Sequence, residues 1–229
     1  MVENCEYLEY CGECKYEKSD KPCLRRPSFH RQLIASRLPS YQWTNAKLIP
    51  DDIDIPAYDR LAEIADTIVD RVQTPGSKNL VICGANMGNG KTSWAVKLLK
   101  YYLHAIAWSA YLDEYPHGAF VLTSQYIMDA KAFDVADSCH KRYIEVREAA
   151  DKADFTVWDD IGSAEYTRYD YINLLVPIER RIFAGKFNVF TTNFTEYDNR
   201  MISRLGDRLA NRIWQTSEII ELRGEGARC

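Results

Sequence analysis

The chain has 229 residues, of which 46% are hydrophobic, and its formal net charge is −4. This length and apolar content suit one domain with a full core and at most a small appendage. The negative charge excludes a global field that attracts nucleic acid, so a contact with DNA needs a local basic patch. No stretch approaches the length of a membrane span, and the N-terminus lacks the layout of a signal peptide. We therefore expect a soluble protein of the cytoplasm without membrane contact.

The N-terminal segment is rich in cysteine. Four of the seven cysteines in the chain have the spacing C-x5-C-x2-C-x8-C, namely Cys5, Cys11, Cys14 and Cys23. Four thiolates form a ligand set for tetrahedral zinc, and the polar residues between them could not build a core without a metal. An iron–sulfur cluster and free cysteines in a disordered tail are the alternatives. We predict a zinc module over residues 1–38, which ends in a helix at 28–38, and then a linker over 39–56.

Helices and strands alternate along the rest of the chain. Apolar spacing predicts a first helix at residues 58–72. Further helices are predicted at 94–103, in the polar stretch after the second strand, at 172–183, which Pro177 should kink or divide, and at 200–213. The predicted strands are 80–84, 119–123, 155–158, 188–192 and 218–222. This alternation predicts an α/β domain over residues 57–229, with a five-stranded parallel sheet covered on both faces.

A phosphate-binding loop follows the first strand. Its glycines let successive backbone N–H groups point inward, and Lys91 adds a positive charge for the β- and γ-phosphates. The hydroxyl of Thr92 is placed to ligate Mg²⁺. The strict pattern has glycine where Ala85 stands, but the preceding strand and the following helix supply the expected context. The residues predicted to contact ATP are Gly84, Ala85, Asn86, Met87, Gly88, Asn89, Gly90, Lys91, Thr92 and Ser93.

Polar residues follow the third and fourth predicted strands. Asp159 and Asp160 end an apolar run, and Asn193 ends another. Because the carboxyl ends of parallel strands meet at one edge of a sheet, these side chains are expected beside the phosphate loop. Asp159 is the predicted Mg²⁺ ligand, and Asp160 is the predicted base that polarises the attacking water. The Asn193 amide is predicted to sense the water or the γ-phosphate.

Together these motifs resemble the AAA+ ATPases of the DnaC/DnaI helicase-loader family, particularly the short versions of bacteriophages and Gram-positive bacteria. The resemblance is carried by residues 88–92, 157–162, 184–193 and 204–214. It implies an AAA+ domain without a C-terminal lid, since the chain ends seven residues after Leu222. It also implies that Arg212 is an arginine finger, with Arg208 one turn earlier. The spacing of four places both on one helical face with Arg200 and Arg204.

The resemblance implies an ATPase that delivers a hexameric replicative helicase onto single-stranded DNA in a bacterial host cell. The N-terminal module would dock on the helicase, the arginine finger would support self-association, and a replication initiator would be a further partner. DNA is expected along the helical region after the second strand, at Lys131, Lys141, Arg142 and Tyr143. The alternatives are a transposition ATPase similar to IstB and a non-hydrolysing adaptor that is switched by ATP.

Overall fold

The computed structural model describes residues 23, 25–38, 48–110, 113, 115–133, 137–164, 166–196 and 198–225. Cys5, Cys11 and Cys14 of the predicted zinc site lie outside these residues, while Cys23 is half-buried. Within the described ranges, no group of three or more His, Cys, Asp or Glu side chains could hold a metal ion. The zinc module therefore stays a prediction.

The described residues form a parallel sheet flanked by helices. The strands are β1 (Asn79–Cys83), β2 (Gly118–Leu122), β3 (Phe155–Asp159), β4 (Phe187–Thr192) and β5 (Ser217–Glu221), in the order β2-β3-β4-β1-β5. The helices are α1 (Arg25–Ala35), α2 (Ile55–Asp66), α3 (Ile68–Gln73), α4 (Lys91–Ala105), α5 (Thr123–Lys131), α6 (Asp137–Lys152), α7 (Arg168–Phe183) and α8 (Asn199–Gln215). A short 3-10 helix, Asp52–Asp54, precedes α2. The predicted α/β class and the five parallel strands are confirmed.

Two hydrophobic cores lie on opposite faces of the sheet. Because strand side chains alternate, Leu80 and Ile82 of β1 pack under α1 to α4, whereas Val81 packs under α5 to α8. Every residue of β1 is buried, as expected for a strand covered on both faces. The two cores thus cover both faces of β1, which lies between β4 and β5, and the loop that follows β1 starts from this buried strand.

The strand register brings the carboxyl ends of the central strands to one edge. Cys83 at the end of β1 is level with Thr192 in β4 and Glu221 in β5. On the other side of β4, the register continues through β3 to β2, where Leu122 is level with Asp159. The phosphate loop, the two aspartates and Asn193 therefore leave the sheet at the same edge.

Helix α1 packs into the core of the α/β domain. Phe29 is almost fully buried, and the backbone N–H of Phe120 in β2 donates to the carbonyl of Ser36 at 2.8 Å. The side chain of Gln32 accepts a hydrogen bond from the backbone N–H of His117 at 3.0 Å. A module that docks on another protein is therefore best sought before this helix.

Several helix predictions differ from the structure. The helix at 58–72 is two helices, α2 and α3, which meet at Thr67. Helix α7 continues through the buried Pro177, so the predicted division of this helix is wrong. The proline removes one backbone donor, but the helix extends for six residues beyond it. Among the described residues, no helix is long and apolar enough to cross a membrane. Residues 222–225 form no helix, and the absence of a lid stays a prediction.

Candidate nucleotide-binding site

The loop between β1 and α4 has a backbone conformation that suits phosphate binding. Gly88 and Gly90 have φ values of 83° and 95°, and α4 begins directly afterwards at Lys91. At Gly84, a Cβ atom would lie 2.0 Å from the carbonyl oxygen of Leu222, so no other residue fits there. Gly84, one residue before the glycine of the strict pattern, thus allows the loop to pass close to the chain after β5.

Lys91 is held inside the loop by three oxygen atoms. Its Nζ donates to the carbonyls of Gly84 at 2.9 Å and Asn86 at 2.8 Å, and to Oδ1 of Asn89 at 2.9 Å. Burial lowers the pKa of Lys91, and the nearby Asp160 opposes that shift. These oxygens are neutral, so an anionic phosphate would be a stronger partner for the ammonium group.

Two loop asparagines tie the phosphate loop to the segment after β5. The amide of the buried Asn89 donates to the carbonyl of Leu222 at 2.9 Å, and that of Asn86 donates to the carbonyl of Arg223 at 2.9 Å. The same segment is held from its other side by Asp54, which accepts from the backbone N–H of Arg223 at 2.7 Å and of Gly224 at 2.9 Å. The loop, the segment after β5 and the 3-10 helix therefore form one connected unit.

Asp159 is buried against two hydroxyl groups. Thr191 of β4 donates to its Oδ1 at 2.7 Å, and Thr92, the residue after Lys91, also hydrogen-bonds to the carboxylate. Burial raises the pKa of Asp159, while the hydrogen bonds from Thr191 and Thr92 act in the opposite direction. The structure thus brings together the two predicted Mg²⁺ ligands, one hydroxyl and one carboxylate, although they are 67 positions apart along the chain.

Asp160 has a left-handed backbone and a different set of partners. Its φ is 56°, a conformation that aspartate tolerates better than most residues, and its N–H donates to the hydroxyl of Thr191 at 2.8 Å. Its Oδ1 accepts from the amide of Asn193 at 3.1 Å. The turn separates the two neighbouring carboxylates, because Asp159 lies in the buried strand whereas Asp160 is only half-buried.

Two threonines that were not predicted as site residues organise these carboxylates. Thr191 contacts both aspartates, and Thr123 at the start of α5 donates to the backbone carbonyls of Asp159 at 2.9 Å and Asp160 at 3.1 Å. The only signal for either was a hydroxyl residue at the carboxyl end of a strand. Such residues are common at strand ends, so the role became visible only with the strand order.

The residues at this edge fit ATP and Mg²⁺. Oxygen ligands of the kind that Thr92 and Asp159 provide are those that Mg²⁺ prefers. The backbone turn and Lys91 supply donors that suit phosphate oxygens. The half-buried Asp160, with its Asn193 partner, would lie beside them.

The predicted arginine finger lies on another part of the domain, on α8. Arg208 makes two hydrogen bonds to the Glu179 carboxylate of α7, at 2.9 and 2.7 Å, and the Nε of Arg212 lies 3.7 Å from the same carboxylate. The four arginines do not share one face, because Gly206 has φ 73° and ψ 151° and interrupts the helix. Arg200 and Arg204 instead flank the ring of Phe194.

The basic residues predicted to contact DNA have partners within the domain. Lys131 pairs with the buried Asp170 at 2.8 Å, and Arg142 pairs with Asp129. Tyr143 is only 6% exposed and stacks on another tyrosine, so the prediction that it stacks on bases is wrong. Lys141 is exposed. These residues of α5 and α6 therefore do not form a patch of unpaired basic side chains that would indicate where DNA binds.

Solved structures of replication proteins share this fold. The DnaC helicase loader has a TM-score of 0.58 at 21% identity, over 80% of this chain and 99% of that chain. DnaI has a TM-score of 0.58 at 18% identity, over 82% and 93%. The replication initiator DnaA bound to AMPPCP and single-stranded DNA has a TM-score of 0.54 at 16% identity, over 81% of this chain and 50% of that chain. Neither a protein-family model nor a curated protein matches the chain.

At these identities, the likeness establishes the fold. The three solved structures are those of a helicase loader, of DnaI and of a replication initiator, and the predicted phosphate loop of this chain lies at the carboxyl edge of its parallel sheet. The chain thus has the fold of the DnaC/DnaI-type helicase loaders.

Proposed function

We propose that this protein is an ATPase that delivers a hexameric replicative helicase onto single-stranded DNA when replication begins. The observation that carries the proposal is the convergence of Lys91, Asp159, Asp160 and Asn193 at one sheet edge, in a fold shared with the DnaC loader and DnaI. The nucleotide would be ATP, held by residues 84–93. DnaA, a third structure of this fold, was solved with AMPPCP and single-stranded DNA.

Each residue of the site has a distinct chemical task in hydrolysis. Mg²⁺, when held by Thr92 and Asp159, supplies positive charge to the phosphates. Lys91 exchanges its neutral oxygen partners for phosphate oxygens and stabilises their charge. Asp160 accepts a hydrogen bond from water and, in the transition state, its proton, while Asn193 keeps the carboxylate oriented. Asp160 is shorter than the glutamate common in AAA+ proteins, so its backbone position must bring the carboxylate close.

The remaining parts of the proposal concern partners. Arg212 would stabilise charge on the γ-phosphate of a neighbouring subunit, which makes turnover depend on self-association. The four-cysteine segment, folded by zinc, would dock on the helicase, and a replication initiator would be a further contact. These assignments are supported by sequence spacing and by the family resemblance. Metal analysis of the purified protein should give about one zinc per chain.

Replacement of Lys91 by alanine tests the nucleotide site. Loss of one charge-assisted partner of the phosphates should weaken ATP binding by about tenfold or more and remove turnover. Binding is measured by calorimetric titration with ATP and Mg²⁺, and turnover by phosphate release. Lys97→Ala, on the same helix but outside the loop, is the control. Unchanged ATP binding by Lys91→Ala would exclude this loop as the active site.

The loading function requires a second measurement. Turnover of the wild-type protein is compared with and without single-stranded DNA, and the full chain is used to capture proteins from a bacterial host lysate. A loader should hydrolyse ATP and retain the hexameric helicase. ATP binding without hydrolysis would indicate the switched adaptor, and hydrolysis without helicase capture but with stimulation by double-stranded DNA would indicate a transposition ATPase.

A further inference from the structure

The nearly buried carboxylate of Glu179 on α7 lies close to both Arg208 and Arg212 in the second half of α8. The side chain of Glu179 is 10% exposed and accepts both hydrogen bonds from Arg208. The Nε of Arg212 lies 3.7 Å from Oε1 of the same carboxylate, which is longer than a hydrogen bond. Arg212 is therefore attracted by the charge of Glu179 but is not hydrogen-bonded to it.

Phe183, one turn further along α7, meets the same guanidinium. Its ring centroid lies 5.2 Å from Cζ of Arg212, within the range of a cation–π contact. The ring is 71% exposed, so burial in the core does not explain an aromatic residue at this position. The contact with Arg212 does explain it, because a guanidinium is stabilised by an aromatic face even in partial contact with water.

We infer that Glu179 and Phe183 form a cradle that orients Arg212 toward the γ-phosphate of a neighbouring subunit. This inference rests on the proposed function, in which Arg212 acts in trans. Both cradle members are positioning residues, because they act on the phosphate only through the arginine.

The charge balance explains why the cradle orients the arginine without trapping it. Arg208 already neutralises Glu179 through two hydrogen bonds, so the field that remains to hold Arg212 is weak. Arg212 is 36% exposed and can donate to a phosphate without first breaking a hydrogen bond to the carboxylate. Orientation matters because a displacement of about 1 Å in a catalytic group can lower a rate by about a hundredfold.

The test mixes two variants that are each inactive. Acceptor subunits carry Arg212→Ala and keep an intact nucleotide site, whereas donor subunits carry Lys91→Ala and keep an intact finger. A mixture should regain ATPase activity at acceptor sites next to donors. Donors that also carry Glu179→Ala or Phe183→Leu should support about tenfold less maximal turnover, since the finger is present but poorly oriented. The KM for ATP should not change, because the acceptor binds the nucleotide.

Two controls separate positioning from folding and assembly. Donors with Phe183→Tyr keep an aromatic face and should restore turnover, and donors with Asp207→Asn change an exposed carboxylate next to Arg208 without touching the cradle. The donor concentration that gives half-maximal activity should be the same for all donors, since the cradle orients Arg212 and does not affect the association of subunits. Full recovery with Glu179→Ala donors would overturn the cradle alone. No recovery in the starting mixture would overturn the trans finger, and the cradle with it.

Discussion

The two adjacent carboxylates at the end of β3 have different surroundings. Asp159 is buried with two hydroxyl partners, whereas the left-handed backbone of Asp160 directs the chain out of the sheet, where the Asn193 amide binds its carboxylate. Burial and hydrogen bonding thus suit Asp159 to a fixed ligand role. The more accessible Asp160 suits proton transfer with water.

Replacement of Asp160 by asparagine should separate binding from hydrolysis. The amide keeps the size of the side chain but cannot take a proton, so turnover should fall by about a hundredfold or more while ATP affinity stays near wild type. Calorimetric titration and phosphate release measure the two effects, with Asp207→Asn as a surface control. If ATP binding with Mg²⁺ is lost instead, then Asp160 is the main Mg²⁺ anchor.

A buried arginine joins three elements at the edge of the sheet opposite the candidate site. Arg181 of α7 is 1% exposed and donates to the carbonyls of Ala150 and Phe187 and to the side chain of Asn188. Further bonds reach the carbonyls of Ala153 and Asp154. Burial lowers its pKa to about 9. Its role is structural: it connects the end of α6 with the starts of β3 and β4.

Arg181→Leu should strongly destabilise the domain. The leucine would remove a charged donor from four buried or partly buried carbonyls and from the side chain of Asn188, and we expect the free energy of unfolding to fall by about 3 kcal/mol or more. Denaturant unfolding followed by circular dichroism measures the change. Arg180→Leu, at the adjacent exposed position, removes only a surface ion pair with Asp151 and should cost less than about 1 kcal/mol. Equal effects of the two substitutions would contradict a structural role for Arg181.

At the scale of elements, the break in α8 sorts the arginines into two pairs. The backbone at Gly206 leaves the helical region, so Arg204 before it donates to the carbonyl of Ser163 at 2.7 Å. Arg208 and Arg212 after it approach Glu179 instead. A continuous helix would have kept all four arginines on one face. The interruption therefore lets one element contact the loop after β3 and α7 at once.

Gly206→Ala should displace the arginines on both sides of the break in α8. A Cβ atom at φ 73° is strained, and it would lie 3.2 Å from the ring of Tyr171. Because φ 73° with ψ 151° is a conformation that essentially only glycine adopts, the expected loss is about 1–3 kcal/mol of unfolding free energy, measured by thermal or denaturant unfolding. ATPase activity at high protein concentration should fall further than this loss explains, because the finger is displaced. Ser203→Ala, on the exposed side of the same helix, should change neither quantity.

At the scale of the whole molecule, the phosphate loop is hydrogen-bonded to segments that are distant in sequence. Asn86 and Asn89 hold the segment after β5, and Asp54 holds the same segment from the other side. The contacts join residues more than 130 positions apart in sequence. A change in the loop on nucleotide binding would thus reach the segments before α2 and after β5 directly.

Deletion of residues 1–22 tests whether the N-terminal segment docks on the helicase while the rest of the chain binds ATP. Because α1 packs into the core, a cut at residue 22 leaves the core complete, whereas a cut at residue 38 would remove Phe29 and expose the core residues that it covers. The truncated protein should bind ATP as the full chain does but lose co-purification with the replicative helicase. The double variant Cys11→Ser with Cys14→Ser should behave in the same way, since two thiolates cannot close a zinc site. Undiminished helicase capture by both proteins would refute the docking role.

The local motifs of this protein were determined by the sequence alone. The phosphate loop, Asp160 and Asn193 directly follow apolar strands, Asp159 ends one, and the five strands were predicted within one residue of their observed bounds. Such features depend on neighbours a few residues apart, so alternation and glycine spacing reveal them. The parallel arrangement then follows from the alternation of strands and helices.

The tertiary structure decided everything that depends on strand order and helix docking. Thr191 reaches both aspartates because β4 lies beside β3, and Glu179 meets Arg212 because α7 packs on α8. Nothing within a few residues of Glu179 or Arg181 distinguishes these charges from those of a solvated helix face. Their partners come from segments distant in sequence, and only the packed core brings those segments within hydrogen-bonding distance.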